Sequence, residues 1–204
     1  MSAISDFCNT IRSWLNLGPE VYPDPLVTSW VRMAEEYLSE TLRVKHMLQL
    51  DTSSLIQGRV LLPSDWMELD TVRPVDGKPL IYMPRDEFYA TYYPSNPARE
   101  VRNYTIIGNF ILVNNVDAVG GTPIEISYYQ NIPSLEDGPN WLLQYYSRIY
   151  VLTTLWHASM YAIEDDRGAA WKDAVDGFVS EMNTKHQMSK SSGSILISKR
   201  RSFG

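Results

Sequence analysis

The stretch NYTIIGNFILVN, residues 103–114, fixes the character of the middle of the chain. Tyr104 to Ile107 and Phe110 to Val113 are β-branched and aromatic runs, and the Gly108-Asn109 pair between them accepts the positive φ of a two-residue hairpin turn. The same grammar extends to either side. RVLLP (59–63), MELDTVRPV (67–75), KPLIYMP (78–84) and PIEISYY (123–129) are short runs of strand-forming residues broken by Pro, Gly and Asn. Asp76-Gly77 predicts a second hairpin joining the strands around Val72 and Leu80, and Gly120-Gly121 reads as a loop.

Further out, both ends of the chain change to a helical period. Ile4, Phe7, Ile11, Trp14 and Leu15 form one apolar face until Gly18-Pro19. Asp24 as N-cap and Pro25 at the first helical position then open a longer helix to about Met47, with Leu26, Trp30, Met33, Tyr37, Leu38 and Leu42 on one side. Beyond the strands, Pro139 and Asn140 open a helix to about Ile163 whose Leu142, Tyr146, Ile149, Leu152, Leu155 and Trp156 cover much of its circumference. Such a helix must be buried on several sides, either in a core or between subunits. Gln144, Arg148 and His157 interrupt it, which argues against a membrane span. Glu164-Asp165-Asp166 ends it, Asp166 caps the next helix, and Trp171, Ala174, Val175, Phe178, Val179 and Met182 form that helix's stripe.

The order predicts an α+β fold: N-terminal helices (1–50) and C-terminal helices (138–186) in one bundle, an inserted antiparallel β domain (51–137), and an extended C-terminal tail (187–204). The length of 204 residues and 44% hydrophobic composition suffice for a sizeable core. The N-terminus has Asp6 and Arg12 inside its apolar pattern and reads as a helix, not a signal peptide.

Charge divides the chain more sharply than its net −6 suggests. Residues 185–204 carry Lys185, Lys190, Lys199, Arg200 and Arg201 with no acid, leaving 13 basic against 24 acidic residues over 1–184, a net −11. An acidic body disfavours nucleic-acid binding over its whole surface. The basic tail is rich in Ser, which favours a segment that orders on contact, yet Ile195, Leu196, Ile197 and Phe203 give it apolar content.

Signatures of chemistry are scarce. His46, His157 and His186 lie far apart with no metal-ligand spacing, and P-loop, GxGxxG and GxSxG patterns are absent, so neither a metal nor a cofactor is expected. His157 reads as a hydrogen-bonded core or interface residue, and Cys8 has no evident base beside it. Glu68 with Asp70, and Asp86 with Glu87, are the candidate acid pairs for glycoside hydrolysis, although solvated strand edges and helix caps explain them more simply. Aromatics make up 12% of the chain; Tyr89, Tyr92, Tyr93 and the pair Tyr128-Tyr129 suit a stacking platform or, preferably, a protein interface.

The segments LPSDWMELDTV, PLIYMPRDEFY, NYTIIGNFILVNNVDAVGGTPIEISYYQNIPSL and NWLLQYYSRIYVLTTLWHASMYAIEDDRGAAW, in this order, resemble the head–tail adaptor (connector) proteins of tailed bacteriophages. The resemblance covers about Leu61 to Trp171; Ser147-Arg148 departs from it where such proteins often have Pro-Asp.

That resemblance implies a structural virion protein assembled in the host cytoplasm, with no enzymatic activity. It implies a ring, usually of twelve subunits, beneath the portal protein, with a lumen through which genomic DNA passes without specific binding. The bundle would contact the portal and neighbouring subunits, the β domain would face the next tail component (nozzle or tail tube), and the C-terminal extension would reach the portal. On this basis Ile195, Leu196, Ile197, Lys199, Arg200, Arg201 and Phe203 are the expected portal-docking tail, with Ile195 to Ile197 adding a strand to a partner sheet. Tyr146, Ile149, Tyr150, Leu155 and Trp156 are expected at the subunit or portal interface, and Tyr92, Tyr93, Ile107, Gly108, Asn109 and Phe110 on the tail-facing surface. The rival readings are a phage-associated glycosidase using an acid pair and a monomeric carbohydrate-binding β module.

Overall fold

The computed structural model describes residues 3–92, 101–114, 123–161 and 167–200, with the backbone alone over 191–200. The fold is α+β and divides into two compact units: 1–46 together with 131–204, and 47–130. The β unit thus begins and ends earlier than the sequence pattern predicts. Residues 48–54 already form a strand, and 131–140 is tied to the helical unit by contacts described below.

In the helical unit, α1 (Ala3–Leu15) buries Phe7, Cys8, Ile11 and Leu15, while Trp14 is exposed. It stops three residues before Gly18 because Asn16 takes a left-handed φ of 55°. Helix α2 (Asp24–Thr41) is capped by Pro23 without a side-chain bond, so Asp24 is not its cap. The Asp24 carboxylate instead pairs with the buried Arg12, whose Nε also donates to the Tyr22 carbonyl at 2.8 Å. α2 buries Val27, Trp30, Val31, Ala34 and Leu38, whereas Met33, expected inward, is exposed.

Helix α4 (Trp141–Tyr161) starts where predicted. The Asn140 side chain accepts from the Leu143 amide at 2.9 Å, the N-cap bond. Residue 146 breaks the helical geometry at φ −137° and ψ 36°, and the His46 ring packs there against Trp141 and Tyr145, centroids 5.5 and 5.0 Å away. From Ile149 to Ser159 every residue is buried or half-buried, because α5, α2 and α1 all pack on α4. Its apolar circumference is therefore covered within one chain. Two inward threonines, Thr153 and Thr154, bond the carbonyls of Ile149 and Tyr150 four residues back, at 2.8 and 2.9 Å.

Helix α5 runs Arg167–Arg200, 34 residues or roughly 50 Å at ~1.5 Å per residue. Residues 187–200, expected to be extended, are thus helical. No Pro interrupts the run, and one Gly and several Ser lower helix propensity without terminating a helix already nucleated by packed turns. The Glu164-Asp165-Asp166 stop and cap lies outside the described residues.

The β unit holds two sheets. One has the order β1 (Leu48–Ser54), β7 (Pro123–Gln130), β3 (Trp66–Pro74), all antiparallel; the other has the order β2 (Arg59–Leu61), β6 (Phe110–Val113), β5 (Asn103–Ile107), β4 (Ile81–Tyr82). Alternating residues of β7 point inward, and Ile124, Ile126 and Tyr128 join Leu55, Val60, Leu62, Val72, Ile111 and Val113 in one core. The Gly108-Asn109 hairpin forms as expected, with Ile107 opposite Phe110 and Gly108 at φ 58°. At Asp76-Gly77 only the turn forms. The Gly77 amide bonds Pro74 and Leu80 bonds Val72, but β4 then pairs in parallel with β5, so this sheet is mixed and not purely antiparallel. A parallel pair needs a crossover, which α3 (Arg85–Tyr92) supplies. The Gly120-Gly121 loop falls outside the described residues.

Candidate docking surfaces

The candidate acid pairs lie on open surface among the described residues. Glu68 and Asp70 lie exposed on β3, and Asp86 lies exposed in the first turn of α3 beside Arg85. Among the described residues no group of three or more His, Cys, Asp or Glu is placed to hold a metal ion. Cys8 is buried with its thiol pushed upward by burial and 3.9 Å from the Thr28 hydroxyl. No helix among the described residues is long and apolar enough to cross a membrane.

The expected aromatic platform is only partly present, with Tyr89 exposed on α3. Tyr128 and Tyr129 are buried at 6% and 4% exposure, Tyr92 is half-buried against Phe88, and Tyr93 lies outside the described residues. What remains open at the hairpin end of the β unit is Phe110, with Gly108 and Asn109 exposed at the tip and Ile107 half-buried. Sequence patterning missed the neighbours of that tip, Leu61 and Ile56, because strand grammar does not say which sheet face stays uncovered.

In the helical unit the expected interface residues are divided. Ile149, Tyr150 and Leu155 are core, at 3%, 0% and 0% exposure, and Tyr146 and Trp156 are half-buried. Tyr150 packs its ring 4.6 Å from Phe7 and donates its hydroxyl to the buried Glu35 carboxylate. Trp156 packs on Tyr37, with the Lys172 ammonium 5.0 Å above its ring and ion-paired to Asp176. Exposed apolar side chains do remain in this unit, including Trp14, Met33, Tyr145, Met160 and Tyr161.

His157 is half-buried on α4 without the hydrogen bonds expected of it. Both ring nitrogens are buried with no partner among the described residues, and burial holds its pKa below the ordinary imidazole value. Because the native state binds the proton less readily than the unfolded chain, this residue contributes stability that is lost as pH falls through about 6.5. His157→Leu is expected to raise stability by about 1 kcal/mol at neutral pH and by more at pH 5.5, checked by urea denaturation at both values. A variant less stable than wild type at pH 5.5 would refute this.

On α5 the last buried side chain described is His186; residues 187–190 are exposed. The basic segment therefore begins on a packed helix whose residues 187–190 are exposed. Among the site expectations there, Ile195, Leu196, Ile197, Lys199 and Arg200 have helical backbone, and Arg201 and Phe203 lie outside the described residues.

A family model described as SU10 adaptor protein matches residues 2–197, nearly the whole chain and both units. The chain belongs to this family. It is a phage head–tail adaptor family, so this adaptor is a structural component of the virion. No curated protein matches the adaptor significantly. The match spans the basic helix as far as Ile197, so that segment is part of the family pattern and not an appendage to it.

Proposed function

We propose that the adaptor forms a ring of twelve subunits seated beneath the portal, which leaves a channel for DNA and presents a platform for the next tail component. The observation that carries this reading is the family match across helices, β unit and basic helix together. Division into two compact units supports two separate docking surfaces. In this reading the helical unit meets the portal and neighbouring subunits, and the β unit, through Ile107, Gly108, Asn109 and Phe110, meets the tail. Because Ile149 to Ser159 of α4 is covered by its own chain, ring contacts fall on exposed apolar residues elsewhere, such as Trp14, Met33 and, in the first turns of α4, Tyr145. The basic segment, Lys190 to Arg201, docks on the portal. A net charge of −11 over residues 1–184 suits a lumen along which DNA slides without adhering.

Electron microscopy of the purified adaptor mixed with purified portal tests the proposal. A closed ring on one face of the portal is expected, twelve-fold if subunits follow the usual stoichiometry of the family. Portal particles that remain bare at micromolar adaptor would refute it.

A further inference from the structure

The sheet of β2, β6, β5 and β4 carries an apolar row on the face turned away from the core. Leu61 is the register partner of Phe110, and Phe110 that of Ile107. Alternation places these three opposite to Val60, Ile111 and Ile106, which belong to or pack on the core. Leu61 is 60% exposed, Phe110 42%, and Ile56 beside them 70%. Further along the same face Thr105 and Leu112 are buried, while Arg59, the register partner of Leu112, is exposed beside the row.

Leu61 also forms one wall of a groove of about 650 Å³, lined further by Asp51, Asp65, Trp66, Asn109 and Tyr128. The two carboxylates are positioned by neutral donors: Ser53 Oγ reaches Asp51 at 2.8 Å and the Tyr128 hydroxyl reaches Asp65 at 3.1 Å. Burial, and next the bond to Asp65, push the Tyr128 hydroxyl up to about 12, so it remains a donor across physiological pH. Among the described residues neither carboxylate has a cation within ion-pair distance. On the other side of Leu61, Arg59 lines a second groove with Ile56 and Phe110.

Two uncompensated carboxylates beside an indole and an apolar row match the chemistry of arginine. Its planar guanidinium holds a carboxylate through two parallel N–H···O bonds, keeps further N–H donors for a second acceptor and lies on aromatic surface, while its stem covers aliphatic side chains. Lysine would offer a point charge only. We propose that the row of Leu61 and Phe110, with the Asp51 and Asp65 groove, receives an arginine-bearing loop of the next tail component. This rests on the adaptor reading above, in which the chain's own basic segment is engaged by the portal.

The test uses the full-length adaptor assembled on its portal and the purified tail component of the same particle, with binding followed by sedimentation over a sodium chloride series. D51N/D65N is expected to weaken tail binding at least about tenfold and to flatten its salt dependence. L61S/F110S is expected to weaken it comparably while keeping the salt slope. Both should bind portal and melt as wild type does. Substituting the contacting arginine of the tail component by lysine is expected to reproduce most of the loss. D51N/D65N adaptor that binds the tail component as wild type does, with the same salt slope, overturns the inference. So does wild-type self-association that D51N/D65N abolishes, which would make a second copy the occupant. Wild-type adaptor that binds portal but not the tail component overturns the inference alone; failure to bind portal sinks the adaptor reading itself.

Discussion

Glu35→Ala is expected to lower the thermal midpoint by roughly 6–12 °C, the equivalent of about 3 kcal/mol. Glu35 and Ser39 stand one turn apart on α2 and hold down the segment that leads into α4. The Glu35 carboxylate accepts from the Leu135 amide at 2.8 Å and from the Tyr150 hydroxyl, and Ser39 Oγ accepts from the Ile132 amide at 3.1 Å. Truncation to alanine leaves a buried amide and a buried phenol without partners, each costing more than the bond itself contributes. The measurement is a calorimetric melt, and a fall of less than 2 °C would show that the segment is not held this way.

The charge state of Glu35 adds a second expectation. Burial, the largest influence, raises its pKa above the ordinary glutamate value of 4.5 despite the hydrogen bonds that oppose it. The native state then binds the proton more tightly than the unfolded chain, so Glu35 contributes less stability as pH rises from about 4.5 through its native pKa. Glu35→Gln keeps an acceptor but cannot titrate. Wild type should therefore gain on E35Q as pH falls from 7 toward 4.5, in the direction opposite to the His157 effect; a gap that widens with rising pH in favour of wild type would contradict the assignment.

These residues explain why some of the fold was legible and some was not. The Gly108-Asn109 turn and the Asn140 cap are local: positive φ and an orphan amide demand particular residues at particular positions. The strand Leu48–Ser54 was hidden because LQLDTSS is an edge strand with half-exposed alternation, and its partners on β7 lie far away in sequence, from Leu48 opposite Tyr129 to Ser54 opposite Pro123. The parallel β4 pair was hidden because two residues carry no period. Glu35 inside an apolar stripe looks like a mismatch until the loop it binds is placed upon it. Apolar content on α4 signalled burial correctly but could not distinguish a central helix from one between subunits, and three helices of its own chain turned out to surround it. For the candidate site, the hairpin tip was readable as a turn, whereas the Asp51 and Asp65 groove depends on the meeting of two sheets.

Deletion of every residue after Lys190 is expected to abolish portal binding while leaving the melt within about 1 °C of wild type. The melt should hold because His186 is the last buried side chain described on α5, and residues 187–190 are exposed. The deletion removes Ile195, Leu196, Ile197, Phe203 and three cations, Lys199, Arg200 and Arg201, the portion with both apolar and electrostatic means of docking. Helical backbone to Arg200 changes the expected manner of docking from strand addition to a helix laid on the portal. Gly193→Ala separates the two. Alanine favours helix over glycine by about 1 kcal/mol, so a segment that docks as a helix binds equally or more tightly, whereas one that must unwind into a strand loses roughly fivefold. Isothermal titration against purified portal reads both variants. Undiminished binding by the truncated adaptor would remove the basic helix from the docking surface, and a fivefold loss in G193A would return the segment to an extended form when bound.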